Sequence, residues 1–519
     1  MRNIFKKPLG ATILLGVILF SSCKKDTFLN VNEDPNNVTD KTVTPYLIFP
    51  SAVNQVGTRQ FGNLDFLQQW MGYEAQSGNF VPDQTITTYN TSYSYNNNLW
   101  ANDYGALFDL HQTKVKAYAV GDSGIASAAM IMSVQIFQNL VDAFGDVPYS
   151  QAFDNVKYPA PAYDKAQNIY ISLQKQLDSA INYMSSASAR GIPASNLFTG
   201  VDIVKKGDST LPGDFGKWIK YANTIKLRML IRQSEVAGFN PTTEIAKIIA
   251  HGGVLHAGET ISSNPGYTNS VNKQSPFYGS YGYDVKGADA NTSARANSYF
   301  VDLLSNNGDD RVSSFYSPIG TSVVGCVLGG PVFSPNDPNS NPDGTHSSKF
   351  GDGLIYDPGQ DQWMITSFES MFLEAEAIAR GWMPGDAKKA YEAAVTESFE
   401  WLHVGGSISK AKASASNYLA TSAIAQYDAP PAYFSSKAQF IAYQKYMALC
   451  GTDPMEAWSD LRRLNMIPDK GYISINPAKV SNSLPVRLLY PQTEYTANAK
   501  SVPLEVLSDA FSKKLFWQP

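Results

Sequence analysis

The segment that most constrains the fold spans residues 368–402, where apolar residues recur at helical spacing in two successive runs. A turn rich in glycine and proline, residues 381–385, separates the two runs, and Asp386 is placed to cap the second. In the first run, Glu369 and Arg380 fall outside the apolar stripe. The segment therefore predicts two packed helices joined by a tight turn.

Small residues would let these two helices approach closely. Ala375, Ala387 and Ala394 follow the spacing of a tetratricopeptide-type helix pair of about 34 residues, although the match is partial. A single pair cannot bury its own apolar face, so further helices must stack on it. We therefore expect a stacked helical fold, with Trp382 and Trp401 packed inside it rather than facing a ligand.

The rest of the chain supplies helices for that stack. Helical spacing of apolar residues predicts helices over residues 64–74, 100–118, 125–144, 164–184, 214–235, 293–304, 437–449 and 454–464. Long stretches rich in tyrosine, asparagine, serine and glycine lie between helices, at residues 77–98, 186–212, 252–292, 318–362 and 467–497. Loops of this length often carry function. The predicted fold class is mainly α with long irregular loops and little β, as one domain over residues 46–519.

The N-terminus predicts export and lipid attachment. Basic residues precede an apolar run over residues 9–20, and two serines then precede Cys23. This order is typical of a signal peptide, and the run is too short to span a bilayer comfortably. A plain signal peptide with a chance cysteine is the alternative. We predict cleavage after residue 22, lipid attachment to Cys23, and a polar tether over residues 23–45 that leaves the protein anchored without a spanning helix.

The net charge and the cysteine content limit which classes of function the chain can have. The net charge of −5 argues against nucleic acid, because phosphate binding needs a basic surface. Beyond Cys23, only Cys326 and Cys450 remain, with no ligand-like spacing. A disulfide between them is possible, and two unpaired buried thiols are the favoured interpretation.

No motif in the sequence predicts catalysis. The zinc-protease, dithiol, nucleophile-elbow and phosphate-loop signatures are absent, and the five histidines are scattered. Residues 339–350 begin like a calcium loop but end on Phe350 where a glutamate is required. We therefore predict no enzyme, no cofactor and no metal site. A glycosidase needs only two carboxylates, so hydrolysis stays open as the weaker alternative.

Aromatic residues beside polar groups in the loops are the candidates for ligand binding. A ring can stack on the C–H face of a sugar while neighbouring amides and carboxylates take its hydroxyls. The alternative for each ring is that it holds its own loop against the helices. The candidates are Tyr89, Tyr93 and Tyr95 in the first loop, Phe277, Tyr278, Tyr281, Tyr283 and Asp284 in the third, and Trp363 after the fourth.

Several segments in a fixed order resemble the SusD/RagB family of outer-membrane nutrient-binding lipoproteins, and its SusD-like branch in particular. They are the lipobox followed by FLNVNEDPNN, then LIFPSAVNQV, FGDVPYSQAF, WIKYANTIKLRMLIRQS, FLEAEAIARGW, GTDPMEAWSDLRRLNMIP and PVRLLYPQTEY. The resemblance covers nearly the whole chain, with a departure at residues 368–371. It implies a right-handed superhelix of tetratricopeptide-like pairs with loops packed on one side.

The same resemblance implies the function. Family members sit at the cell surface, bind a nutrient that is usually a glycan, and cap a TonB-dependent, SusC-like transporter. We therefore expect a surface-exposed outer-membrane lipoprotein that binds an oligosaccharide and delivers it to such a transporter. A tetratricopeptide-type scaffold that binds only protein is the structural alternative.

Overall fold

Helices supply most of the structure, as the apolar periodicity predicts. The structure is a computed structural model that describes residues 43–62, 64–91, 96–207 and 211–519. The predicted signal peptide, the lipid attachment at Cys23 and nearly all of the predicted tether lie outside these residues. From Pro45 to Pro519 the chain forms one compact unit.

The α-helices follow one another along the chain from α1 to α19. The first ten are α1 (Pro45–Gly62), α2 (Asp65–Trp70), α3 (Gln84–Thr88), α4 (Asn97–Ala119), α5 (Ser123–Phe144), α6 (Ala166–Ala189), α7 (Asn196–Thr199), α8 (Phe215–Arg232), α9 (Thr242–Ala250) and α10 (Pro276–Tyr281). The others are α11 (Ser298–Ser305), α12 (Val312–Phe315), α13 (Ser367–Ala379), α14 (Ala387–Trp401), α15 (Ile408–Thr421), α16 (Lys437–Ala448), α17 (Pro454–Leu464), α18 (Gln492–Ala497) and α19 (Asp509–Ser512).

Short antiparallel strands tie the loops to the helices. The strands are β1 (Glu74–Gln76), β2 (Val147–Pro148), β3 (Tyr163–Asp164), β4 (Val204–Lys206), β5 (Ile261–Ser263), β6 (Ala294–Ala296) and β7 (Gln362–Ile365). β1 pairs with β6, and β2 pairs with β3. β5 lies between β4 and β7 in a three-stranded sheet.

The predicted pair over residues 368–402 is present as α13 and α14. Asp386 caps α14, because its carboxylate accepts hydrogen bonds from the backbone N–H groups of Lys388 and Lys389. Gly381, in the turn, has a φ of 74°, a left-handed conformation that favours glycine. The pair is the scaffold that the sequence predicts.

Neighbouring helices stack on this pair and on one another. α14 packs on α15, and α13 packs on α16 and on α8. In the N-terminal half, α4, α5 and α6 pack in succession, and α6 packs on α8. Among the described residues, one helix is long and apolar enough to cross a membrane, and this helix, α5, lies with 94% of its apolar window inside the core.

Two predicted helices are shorter than the sequence suggests. The helix expected over residues 64–74 ends at Trp70, because Gly72 turns the chain and Glu74 begins β1. The helix expected over residues 293–304 begins only at Ser298, because the preceding residues form β6. β1 and β6 pair with each other, so the same long-range strand pairing shortens both predicted helices.

The two cysteines do not form a disulfide. Cys326 and Cys450 are both buried free thiols. The Cys450 sulfur lies 3.2 Å from the Tyr316 hydroxyl. Burial raises the pKa of the Cys326 thiol to about 11, so it behaves as a small apolar residue.

A group of charged side chains lies inside the helical stack, and we call it the buried charge cluster. None is more than 4% exposed. The members are Asp142, Arg228, Arg232, Glu369, Glu376, Lys445, Asp453, Glu456, Asp460 and Arg463. Glu369 was expected outside the apolar stripe of α13; it is buried because Arg228 of α8 reaches it, with Nη1 3.2 Å from Oε1.

Short ion pairs connect the cluster across α5, α8, α13, α16 and α17. The Lys445 ammonium lies 2.7 Å from Glu456 and 2.8 Å from Asp460. The Arg463 guanidinium donates to both oxygens of Glu376, at 2.6 and 2.8 Å. Paired, hydrogen-bonded charges of this kind can be buried, whereas a lone one cannot.

Candidate ligand-binding site

Partly exposed rings lie on three loops that contact one another. Their backbones are joined by hydrogen bonds: Ser77 N–H donates to the Ser293 carbonyl at 2.9 Å, and Phe333 N–H donates to the Gly78 carbonyl at 2.8 Å. We call this surface the loop face and define it by its partly exposed side chains. These are Phe80, Tyr278, Tyr283, Asp289, Phe333 and Lys349.

Gly78 allows two of these loops to touch. A Cβ atom at this position would lie 2.3 Å from the Asn341 carbonyl oxygen, too close for any other residue. The Gly78 N–H donates to the Pro342 carbonyl at 2.8 Å. Glycine is therefore required at this position for close approach rather than for an unusual backbone angle.

Two of the predicted tyrosines form a pair on the loop face. The ring centroids of Tyr278 and Tyr283 are 6.4 Å apart with planes inclined by 53°. The Tyr283 side chain is 38% exposed, and Tyr278 is half-buried. Burial, followed by the proximity of Tyr283 and Asp357, raises the pKa of the Tyr278 phenol, which stays protonated and able to donate a hydrogen bond.

A lysine–aspartate pair braces the Tyr283 ring. The Lys349 ammonium lies 4.1 Å from the centroid of that ring. It also forms an ion pair with the Asp289 carboxylate. Burial opposes the charge on Lys349, but hydrogen bonds to Asp289 and Tyr283 outweigh burial and raise its pKa. The arrangement places a ring, a cation and a carboxylate on one small surface.

Asp284 shapes the loop that carries Tyr283. Its exposed carboxylate accepts hydrogen bonds from the backbone N–H groups of Lys286, at 2.8 Å, and Ala288, at 2.9 Å. Those hydrogen bonds lower the pKa of Asp284. One carboxylate oxygen thus closes the turn.

Four of the predicted rings are buried, contrary to the expectation of exposed ring faces. Phe277 lies within a cluster with Tyr281 and Trp363, whose centroids are 5.0 and 5.1 Å away. Tyr89 lies against Trp70 at 6.0 Å, and its hydroxyl accepts a hydrogen bond from a backbone N–H of residue 474. These rings hold their loops against the core, which was the alternative interpretation for each. Tyr93 and Tyr95 lie outside the described residues.

Two exposed rings of the loop face were not predicted from the sequence. Phe80 is 38% exposed and Phe333 is 43% exposed, each beside an exposed valine. Both stand in segments rich in glycine, proline and asparagine, SGNFVPD and GGPVFSPND. The residues around each phenylalanine show neither helical nor strand periodicity. A phenylalanine in such a segment is a sequence signal for an exposed loop ring, and this signal could have identified both residues.

The arrangement is suited to binding rather than to metal chemistry. Among residues 43–62, 64–91, 96–207 and 211–519, no three His, Cys, Asp or Glu side chains are grouped so as to hold a metal ion. Rings, a phenol and a lysine–aspartate pair offer stacking and directed hydrogen bonds. Fold and loop face together define a ligand-binding protein built on a stack of helix pairs.

Comparison with known families gives this class a name. Residues 35–491 match the model of the SusD-like family that is described as starch-binding and associating with the outer membrane. The match covers most of the chain, so the chain belongs to this SusD-like family. No curated protein sequence matches the chain closely enough to count as a relative.

Solved structures agree on the fold. A SusD/RagB family protein from Bacteroides thetaiotaomicron is 21% identical with a TM-score of 0.68, over 92% of this chain and 99% of that one. A chitin-binding SusD homologue from Flavobacterium johnsoniae is 22% identical with a TM-score of 0.66, over 91% of this chain and 97% of that one. A further chitin-binding protein is 22% identical with a TM-score of 0.68, over 91% and 99%. At these identities the likeness establishes the fold.

Proposed function

We propose that this protein is a surface-exposed outer-membrane lipoprotein that binds an oligosaccharide through the loop face and delivers it to a TonB-dependent, SusC-like transporter. The observation that carries the binding proposal is the pair of the exposed Tyr283 and the half-buried Tyr278 with Lys349 and Asp289 beside it. The family description, starch-binding and associating with the outer membrane, supports the same ligand class.

The chemistry of the loop face fits a sugar better than an ion or an extended apolar molecule. Each pyranose has a C–H face that stacks on a ring and hydroxyls that both donate and accept hydrogen bonds. The Tyr283 ring supplies the stacking surface, while Asp289 accepts and Lys349 donates. No covalent step is proposed at this surface, so the oligosaccharide should be recovered intact.

The proposal has two further parts, which are the lipid anchor and the transporter partner. A lipid on Cys23 would hold the protein at the membrane, and a stable lid-like interface with the transporter should bury upwards of roughly 2,000 Å². The long loops supply surface for this contact. Copurification of the anchored protein with the transporter encoded beside its gene tests this part of the proposal.

Replacing both tyrosines of this pair, Tyr278→Ala with Tyr283→Ala, is expected to weaken oligosaccharide binding by about thirtyfold. Each ring contributes on the order of 1 kcal/mol by stacking, and about 1.4 kcal/mol corresponds to tenfold in Kd. Isothermal titration calorimetry with maltoheptaose and with chitohexaose measures the change. Tyr433→Ala is the matched control, since Tyr433 is 51% exposed but lies in the segment before α16.

The possible outcomes separate the candidate functions. An unchanged Kd in the double variant, with the parent protein binding sugar, would show that the loop face is not the binding site. A parent that copurifies with the transporter but binds neither sugar nor other glycans in a broad screen would favour the protein-binding scaffold. Shortened oligosaccharides after incubation would favour hydrolysis.

A further inference from the structure

A second recess lies between the three-stranded sheet and the C-terminal end of α14, and none of its lining residues belongs to the loop face. We call it the sheet cleft. Its volume is about 450 Å³, within the range of small-molecule sites. The residues that matter for its chemistry are Tyr356, Asp361, Trp363, Glu397, Glu400 and Trp401.

Trp401 forms a fixed aromatic wall of the sheet cleft, backed by the buried Trp363. The ring centroids of Trp363 and Trp401 are 4.9 Å apart in an edge-to-face arrangement. The Trp401 indole N–H donates to the Thr260 hydroxyl at 3.0 Å, and its ring also meets Phe368 edge to face at 5.3 Å. Trp401 was expected to be buried, but it is half-buried and lines the cleft. These contacts hold the ring in one orientation, as a stacking surface requires.

Tyr356 is a more open ring at the same recess. It is 54% exposed. Its backbone N–H donates to the Gln360 side chain at 3.1 Å, so the loop that carries it is held in place independently of the phenol ring. Because Tyr356 is exposed and Trp401 is fixed, a flat ligand can enter the sheet cleft and be covered by the Tyr356 ring.

Carboxylates supply hydrogen-bond acceptors in the cleft. One Glu397 oxygen accepts from the Gly258 N–H at 2.8 Å and from the Ser367 hydroxyl at 2.6 Å. Asp361 accepts from Lys205 at 2.9 Å, from the Asn264 side chain at 2.8 Å and from the Ser262 hydroxyl at 3.3 Å. Glu400 lies 3.5 Å from the ammonium of Lys412. A carboxylate has about four acceptor positions, so Glu397 and Glu400 retain capacity for a ligand hydroxyl, whereas both oxygens of Asp361 are already occupied.

The charges around the sheet cleft favour neutral sugars over anionic ones. The lysines nearest to Asp361 and Glu400 are already paired with those carboxylates. Burial raises the pKa of Glu397, although the hydrogen bonds from Gly258 and Ser367 oppose that shift. A sugar acid or sulfated sugar would face three carboxyl groups, whereas a neutral sugar would meet rings and acceptors.

We propose that the sheet cleft is a second carbohydrate-binding site, which takes one or two neutral pyranose units of an oligosaccharide. The C–H face of the sugar lies on Tyr356 and Trp401, and its hydroxyls donate to Glu397 and Glu400. This inference rests on the proposed function, since it assumes that the protein binds glycans. It adds a site on α14 and the three-stranded sheet to the one on the loops.

Titration of the full chain in detergent micelles tests the second site. With maltoheptaose and chitohexaose as probes, the parent protein should show two sites per chain. Tyr356→Ala should weaken the cleft site by about fivefold, the value of one stacked ring. Ala257→Trp should block the site, because Ala257 is an exposed residue that lines the cleft. The loop-face double variant should keep the cleft site alone.

Tryptophan fluorescence gives an independent readout. The loop face contains no tryptophan, so a fluorescence change on adding maltoheptaose or chitohexaose reports the cleft through Trp401 and Trp363. The change should persist in the loop-face double variant and be lost in Trp401→Phe. Oligogalacturonate, an anionic sugar chain, should produce no change.

The outcomes distinguish this inference from the proposed function. One site per chain that Tyr356→Ala and Ala257→Trp leave unaltered, with no fluorescence change, would overturn the cleft and leave the loop face standing. A parent that binds neither probe would overturn both. Thermal melts of each variant exclude unfolding as the cause of lost binding.

Discussion

Replacing Arg463 by methionine is expected to lower the free energy of unfolding by about 3–5 kcal/mol, because the change leaves buried carboxylates without their cation. Arg463 is fully buried and donates to both oxygens of Glu376 and, at 2.8 Å, to Asp460. Methionine keeps much of the volume but none of the charge. Urea unfolding at pH 7 measures the difference as a shift in midpoint.

Two further variants sharpen this test. Arg190→Met is the matched control, since Arg190 is exposed at the end of α6 and the same substitution there should change stability by no more than about 0.5 kcal/mol. Arg463→Met combined with Glu376→Gln should lose less than the sum of the two single losses, because the orphaned carboxylate is gone. Equal midpoints for Arg463→Met and the parent would show that the pair contributes nothing.

Helix positions were predictable from the sequence wherever an apolar stripe was long. The helix expected over residues 454–464 is α17 to the residue, and the expected pair over residues 368–402 is α13 and α14. α1 was missed because Pro50 lies inside it and weakens the helical pattern. Strands of two to four residues are too short to show a period of two, so β6 and the first residue of β1 were predicted as helix.

Buried charges could not be found by the same reasoning. A periodic pattern assigns every charged residue to the outside, so it placed Glu369 and Arg380 together. In the structure Glu369 is 1% exposed, whereas the Arg380 side chain is partly exposed at the edge of the stack. The partner that buries Glu369 is Arg228, 141 residues away in the chain. Only the three-dimensional structure shows that these two side chains are in contact.

The sequence predicted a loop that carries partly exposed rings, but not which of its rings those are. The loop over residues 252–292 was expected to carry ligand contacts, and there Tyr283 is exposed and Tyr278 is half-buried. Phe277 and Tyr281 come from the same stretch but point into the core, because α10 puts them on its inner side. An aromatic side chain in a loop interrupted by glycines can point toward the core or toward solvent. Which rings point inward follows from helical periodicity only once the short helix α10 is known.

Two glutamates of α13 are expected to affect stability in opposite directions with pH. They lie seven residues apart, about two helical turns. Although burial opposes its charge, Arg463 outweighs burial and lowers the pKa of Glu376 to about 2. Burial, with Asp453 and Glu456 nearby, outweighs Arg228 and raises the pKa of Glu369 to about 8. In the unfolded chain both return to 4.5, the ordinary value.

The sign of each effect follows from which state holds more protons. Below its unfolded pKa the unfolded chain protonates Glu376 while the folded protein does not, so its stabilisation is present above about pH 5 and is lost as the pH falls toward 2. Glu369 keeps its proton in the folded protein up to about pH 8, so its contribution falls as the pH rises from 4.5 through 8.

Glu376→Gln should therefore lower the free energy of unfolding at pH 7 by on the order of 3 kcal/mol, the value of a shift of roughly two pKa units, and the loss should shrink toward pH 2. Glu369→Gln should instead flatten the decline between pH 5 and 8 and leave stability at pH 8 equal to or above that of the parent. Urea unfolding of the parent and both variants at pH 3, 5, 7 and 8 measures the two profiles. Parallel pH profiles for the two variants would contradict the assignment, because opposite pKa shifts on one helix cannot give slopes of the same sign.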